Sequence, residues 1–156
     1  MKIPQNRRQV KQLYGDFSYT EGAGRRIKID PDWVRDNIRT FELHTGDEVR
    51  LHKLVGDEFV RLFQEACDAS DYTPKSVQTF VPRHFSKDKD SSLSYHSWGI
   101  AIDFDPQDNP KGGKRKDGSP SLMRLNPQFI MVFEVAGWRW GGSWDMKDDM
   151  HFQRKK

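Results

Sequence analysis

The chain has 156 residues, about one domain by the usual length prior, with 35% hydrophobic and 12% aromatic residues and a formal net charge of +3. No apolar run approaches the roughly 20 residues that cross a bilayer, and Met1–Arg8 carries positive charge without the apolar segment of a Sec-type signal peptide. The single cysteine, Cys67, excludes an internal disulfide framework.

Residues 1–30 mix charge, glycine and aromatics without a clear period and read as an irregular arm or a short hairpin. Pro31-Asp32-Trp33-Val34 opens a brief helix or turn reaching Thr40. The clearest helix is predicted to start near Thr45, because Thr45-Gly46-Asp47-Glu48 has the spacing of a capping box. Leu51, Leu54, Val55, Phe59, Leu62, Phe63 and Ala66 then recur at helical steps, and Asp71-Tyr72-Thr73-Pro74 closes the segment. Cys67 falls on its apolar side as a core residue, and His52, at the edge of the stripe, reads as a structural histidine.

Ser76–Val81 and Gly99–Asp105 are predicted strands. In the second, Ile100, Ile102 and Phe104 alternate with Ala101 and Asp103, so a half-buried strand sends Asp103 to the face opposite its apolar neighbours. Lys111–Ser119 is a flexible loop or hairpin tip. Asn126-Pro127 signals a second helix, with Phe129, Ile130, Phe133 and Ala136 inward and Gly137 at its end. Trp138-Arg139-Trp140-Gly141-Gly142 is a strand entering a tight turn, and Met150–Gln153 is a short last strand, with Met150 and Phe152 facing the core. This order predicts one α+β domain over 1–156, a small, mostly antiparallel sheet flanked by helices. Residues 1–44 form an arm and 45–153 the catalytic core.

Three residues suggest chemistry. His96, Asp103 and His151 offer two imidazoles and a carboxylate, the donor set of a catalytic zinc with a position left open for water. Asp103, on a strand lined with Ile and Phe, is costly to bury unless paired or bound to metal. Asp148, three residues before His151, is placed to take a proton from the attacking water. Asp149 competes for that role, though neighbouring side chains on an extended segment point opposite ways. Arg83, just upstream of the His96 motif, can stabilise a developing oxyanion; an arginine there otherwise reads as a surface or ion-pair residue. His84 is a weaker candidate ligand.

Ser94-x-His96-x-x-Gly99-x-Ala101-x-Asp103, Gly137-Trp138-x-Trp140-Gly141-Gly142-x-Trp144 and Asp148-x-Met150-His151-Phe152 together resemble the zinc D-alanyl-D-alanine carboxypeptidase family. That family includes vancomycin-resistance-type D,D-carboxypeptidases and the L-alanyl-D-glutamate endopeptidases that serve as phage endolysins. The resemblance is strong over 79–153. It is looser over 13–69, where Tyr14-Gly15-Asp16 and the predicted His52 helix look like parts of phage-borne members. It implies zinc held by His96, Asp103 and His151, Asp148 as general base, Arg83 as clamp on the substrate or transition state, and Ser94 near the substrate; Trp140 is expected there too. Many carboxypeptidase-type members have Glu at the base position. In the wider superfamily a His often stands where this chain has Asp149.

The expected activity is zinc-dependent hydrolysis of peptidoglycan peptide stems, as an L-alanyl-D-glutamate endopeptidase of endolysin type or as a D,D-carboxypeptidase. Such a monomer, made in the cytoplasm without a signal peptide, would reach the wall after release by another factor. The basic clusters at Arg7-Arg8, 25–28, 111–116 and 154–156 suit an anionic polymer or are solvated ends and loops. They motivate a rival class, a nucleic-acid-binding protein or metal-dependent nuclease. A hard-cation site rich in carboxylates would fit that class better, so no nucleic-acid partner is expected. A catalytically dead relative serving as part of a phage particle is the third reading.

Overall fold

A computed structural model describes residues 6–154. The segment 1–5, which bears on the signal-peptide expectation, and Lys155 and Lys156 of the last basic cluster lie outside the described residues.

The arm is more regular than its composition predicts. Asn6 caps α1 (Arg7–Tyr14) by accepting from the Gln9 amide at 2.9 Å, and Val10 and Tyr14, one turn apart, form its buried face. Two buried side chains among charged ones leave too little apolar period to mark this helix in the sequence. A hairpin of β1 (Tyr19–Glu21) and β2 (Ile27–Ile29) follows. Asp30 then caps α2 (Pro31–Asn37), with proline at its first position.

Thr45 does not open a helix. β3 (Ile38–Glu42) and β4 (Glu48–His52) form an antiparallel hairpin, and Thr45 lies in its turn. The Leu43 amide donates to Asp47 O at 2.8 Å, the Thr45 hydroxyl donates to Asp47 Oδ2 at 3.0 Å, and Gly46 takes φ +89°. Val49 and Leu51 are core residues at strand spacing, and Leu54 is exposed. The helix, α3 (Gly56–Ala69), starts eleven residues after Thr45 and buries Phe59, Leu62, Phe63, Ala66 and Cys67. Gly56 is required there, since a Cβ would lie 2.0 Å from the Phe41 ring.

The second half builds the main sheet from β5 (Val77–Gln78), β6 (Ala101–Phe104), β7 (Trp138–Trp140) and β8 (His151–Arg154), in the order β5-β6-β8-β7 with every neighbour antiparallel. α4 (Pro127–Val135) covers it. Asn126 flanks α4 as expected, but its side chain donates back to Leu122 O rather than capping the helix. Gly137, at φ +93°, follows its end. The architecture is α+β, a single small domain of antiparallel sheets and helices.

One face of the sheet meets α3 and α4. Phe104 and Phe152 pack against Phe59 and Phe63 from α3 and Phe129 and Phe133 from α4, all six completely buried. Register fixes what the other face carries. Ile102 stands opposite Phe152 and Asp103 opposite His151, and directly opposed residues share a face. The aromatic core therefore holds up a strand pair whose far side presents Asp103 and His151. β6 is buried on both faces rather than half-buried. Phe104→Ala should lower unfolding free energy by about 3–5 kcal/mol, whereas Val135→Ala, exposed on α4, should stay within about 0.5 kcal/mol. Denaturant titration of both variants measures the difference.

Candidate metal centre

His96 stands on a 3-10 turn, Tyr95–Trp98, capped by Ser94, whose hydroxyl accepts from the His96 amide at 3.3 Å. The turn ends at Gly99, with φ +68° and its carbonyl bonded to the His52 amide; a Cβ there would lie 2.7 Å from His52 N. His52 is thus a buried brace. Its Nε2 donates to Tyr14 O at 2.9 Å, while its Nδ1 accepts from the Leu54 amide. Trp98 Nε1 donates to Gly15 O at 2.9 Å, tying the same turn to the amino-terminal segment.

His96, Asp103 and His151 converge, with one candidate ligand atom from each lying within 4.8 Å of the others, all three residues buried. His96 Nδ1 donates to Thr79 O at 2.7 Å, which leaves the lone pair on Nε2. That Nε2 is buried without a hydrogen-bond partner, 3.2 Å from Asp103 Oδ2. His151 Nε2 donates to Gln153 Oε1 at 3.0 Å, which turns Nδ1 toward Asp103 Oδ1, also at 3.0 Å. Two imidazole lone pairs and a carboxylate aimed at one point repel one another unless positive charge joins them, as ring protons or as one cation. Burial would raise the Asp103 carboxyl, but the charge of His96 and the hydrogen bond from His151 outweigh it and hold the group well below its usual range. Burial disfavours protonation of His151, yet Asp103 lifts it above its ordinary value. The donor set, the outer hydrogen bonds that fix each ring and the orphaned His96 Nε2 fit a zinc ion.

The set opens into a cleft of about 320 Å³ lined by Arg83, Ser94, Trp144, Asp148, Met150 and others. Arg83 Nη2 donates to Asp103 Oδ2 at 3.4 Å, so it is an ion-pair partner as well as a cleft residue. Asp148 is held through backbone: its amide donates to Gly141 O and its carbonyl accepts from the His151 amide. Gly141 allows this approach, since a Cβ there would lie 2.6 Å from Asp148 O. Asp148 Oδ1 is buried without a partner, and burial chiefly raises its carboxyl, opposed by His151 and reinforced by Asp103. Asp149 points the other way. It is fully buried, accepts from Arg124 Nε at 2.8 Å and from the Ser121 hydroxyl.

Two expected positions differ. Trp140 stands opposite Phe152 in the β7–β8 register, which puts it on the core face, with its Nε1 bonded to Asp149 O. Trp144 lines the cleft instead, its ring centroid 5.5 Å from that of His151. Met150 also lines the cleft and is not a core residue. His84 is bonded to Glu21 and Ser91 O, away from the three donors. Sequence reasoning missed Gln153, although its place two residues after His151 on one strand face was a usable signal. It also missed Gln78, Arg7 and Arg25, which reach the cleft only through tertiary folding.

A buried two-histidine, one-carboxylate set with a second carboxylate beside it is the arrangement of a hydrolytic metal centre. Residues 87–154 match the family model described as D-alanyl-D-alanine carboxypeptidase. The matched stretch, less than half of the chain, contains the whole donor set and Asp148, and is similar to that peptidase family. No curated protein and no solved structure gives a significant match.

The two adjacent aspartates give opposite expectations. Asp149→Ala leaves Arg124 without its buried partner and should cost about 3 kcal/mol. Asp148 has a native carboxyl raised above its ordinary 3.8, so its ionisation disfavours the metal-free fold increasingly as pH rises from the unfolded value through the native one. Metal-free Asp148→Asn should therefore melt above the parent protein at neutral pH, with the gap closing below about pH 3. Melting curves across pH check both sign and window.

Proposed function

We propose that this chain is a zinc metallopeptidase that hydrolyses peptide stems of peptidoglycan. The observation that carries the reading is the convergence of His96 Nε2, Asp103 and His151 Nδ1 in a cleft shared with Asp148, whose Oδ1 is buried without a partner. A zinc ion bound there supplies Lewis acidity and brings the pKa of water toward about 7. Gln153 and Thr79 O keep both rings in the tautomers that present lone pairs. Asp148 takes the proton of the attacking water, helped by its raised carboxyl, and gives it to the leaving amine nitrogen as the carbon–nitrogen bond breaks. Arg83 donates to the oxyanion of the tetrahedral intermediate. Ser94 lines the same cleft within reach of bound substrate.

Within this class the proposed activity is an L-alanyl-D-glutamate-type endopeptidase of endolysin kind, supported by the resemblance of Tyr14-Gly15-Asp16 to phage-borne members. The second reading, removal of a terminal D-alanine, is favoured by the description of the matched family and by a cleft whose cations suit a carboxy terminus.

Digestion of purified peptidoglycan with zinc-loaded protein, with products separated by mass, tests both. Stems severed between L-alanine and D-glutamate are expected; free D-alanine with otherwise intact stems would sink the endopeptidase reading, and no cleavage would sink the class. Asp148→Asn should lower kcat by about 10²–10⁴-fold while zinc content is kept. His151→Ala should lose the metal itself, as metal analysis would read.

A further inference from the structure

The cleft carries more positive charge than hydrolysis uses. Besides Arg83, it is lined by Arg7, Arg25 and Lys111, against two carboxylates, Asp103 and Asp148. Arg7 and Arg25 come from the amino-terminal segment and are fixed on one wall. Arg7 donates from Nε and Nη2 to Leu93 O at 3.2 and 3.0 Å, and its guanidinium lies 4.5 Å from the Tyr95 ring centroid. Arg25 donates from Nη1 to Phe85 O at 3.0 Å. Those two carbonyls belong to opposite arms of one hairpin, in which His84 pairs with Leu93 and the Ser94 amide donates to Arg83 O. The same hairpin therefore carries Arg83, Ser94 and both guanidinium anchors.

Bonds to neutral carbonyls orient a guanidinium without cancelling its charge. Among the described residues, no ion pair joins Arg7, Arg25 or Lys111 to a carboxylate. Arg7 spends two nitrogens on Leu93 and stacks on Tyr95. Arg25 spends one and keeps the rest of its planar donor edge for a ligand. Phe85, exposed in the same cleft, gives an apolar surface beside it. Two cationic planes held at one wall of a substrate cleft fit a fixed anion, and a carboxylate is the anion that matches guanidinium geometry.

Resting on the peptidase reading above, we infer that Arg25, backed by Arg7, is a specificity-determining residue that binds a free carboxylate next to the scissile bond. Stems with an ionised acidic residue there are the preferred substrates, and stems in which that carboxyl is amidated are poor ones. Amidation keeps one acceptor oxygen but removes the charge, so the loss falls on binding. Lys111, exposed at the cleft beside Asp148, adds long-range attraction that salt screens.

The test uses two synthetic stem peptides that differ only in carboxylate or carboxamide beside the scissile bond, with the zinc-loaded full chain. The parent protein should prefer the acid by about tenfold in kcat/KM, mainly through KM, with the preference shrinking as salt rises. Arg25→Gln should bring the ratio close to one, and Arg25→Lys should restore part of it. Equal cleavage of both peptides by the parent protein, or an unchanged ratio in a folded Arg25→Gln, overturns the inference and leaves the peptidase reading standing. Cleavage of neither peptide overturns the peptidase reading. Should Arg25→Gln fail to fold, the parent's acid-to-amide ratio and its salt dependence decide alone.

Discussion

A carboxylate buried in the middle of a sheet is the constraint on which this structure turns. Asp103 sits on β6, an internal strand with β5 on one side and β8 on the other, and is almost fully buried. An unpaired carboxylate there would cost several kcal/mol. The fold meets that cost by placing His151 directly across the ladder, His96 on the adjoining 3-10 turn and Arg83 at the cleft side. Each of these is in turn fixed by another group: His151 by Gln153, His96 by Thr79 O, and Arg83 through backbone bonds to Ser97. Removing the positive charge from this cluster would leave a core strand with an ionised side chain facing bare imidazole nitrogens.

The aromatic layer and the polar cleft are two sides of one strand pair. Phenylalanines from β6, β8, α3 and α4 fill the inner face, where Phe104 touches Phe63 nearly in parallel. Close-packed rings tolerate little displacement, so the strand register is rigid, and a register slip by one residue would exchange Asp103 and His151 with core side chains. Precision at the site is thus a property of the core beneath it. The amino-terminal segment adds a second constraint: Trp98 bonds Gly15, His52 bonds Tyr14 and Arg7 bonds Leu93. These contacts reach the His96 turn and the hairpin carrying Arg83, so the segment belongs to the cleft as much as the central strands do.

Short-range patterns in the sequence were legible where chemistry and period agreed. Alternation of Ile102, Asp103 and Phe104 located β6 and the side of Asp103, and the Asn126-Pro127 and Gly137 signals bounded α4. The sequence motifs also named the residues that the structure gathers in one cleft: His96, Asp103, His151, Asp148, Arg83 and Ser94. What failed was competition between periods. Leu51, Leu54 and Val55 satisfy helix spacing while Val49 and Leu51 satisfy strand spacing, and the turn at Gly46 together with the Phe41–Gly56 contact decides for the hairpin. Trp140 failed for a different reason. A tryptophan one strand away can sit on either face, and only its pairing with Phe152 fixes which. Basic clustering marked Arg7 and Arg25 as charged surface but could not place them at the cleft, because their place depends on carbonyls some 60 to 86 residues away.

Asp148 and Asp149 show how one chain step separates a cleft carboxylate from a locked one. Both are acidic and adjacent, one partly buried at the cleft and the other fully buried, and composition alone cannot separate them. Asp149 is answered on every side, by Arg124, by Ser121 and through its own carbonyl by Trp140, so its charge is neutralised and its position locked. Asp148 is left with an oxygen that nothing in the protein satisfies. The fold thus supplies a partly buried arginine for one aspartate and none for its neighbour. The locked Asp149, together with Gly141, whose missing Cβ lets Asp148 O approach, holds the turn that carries the unpaired oxygen.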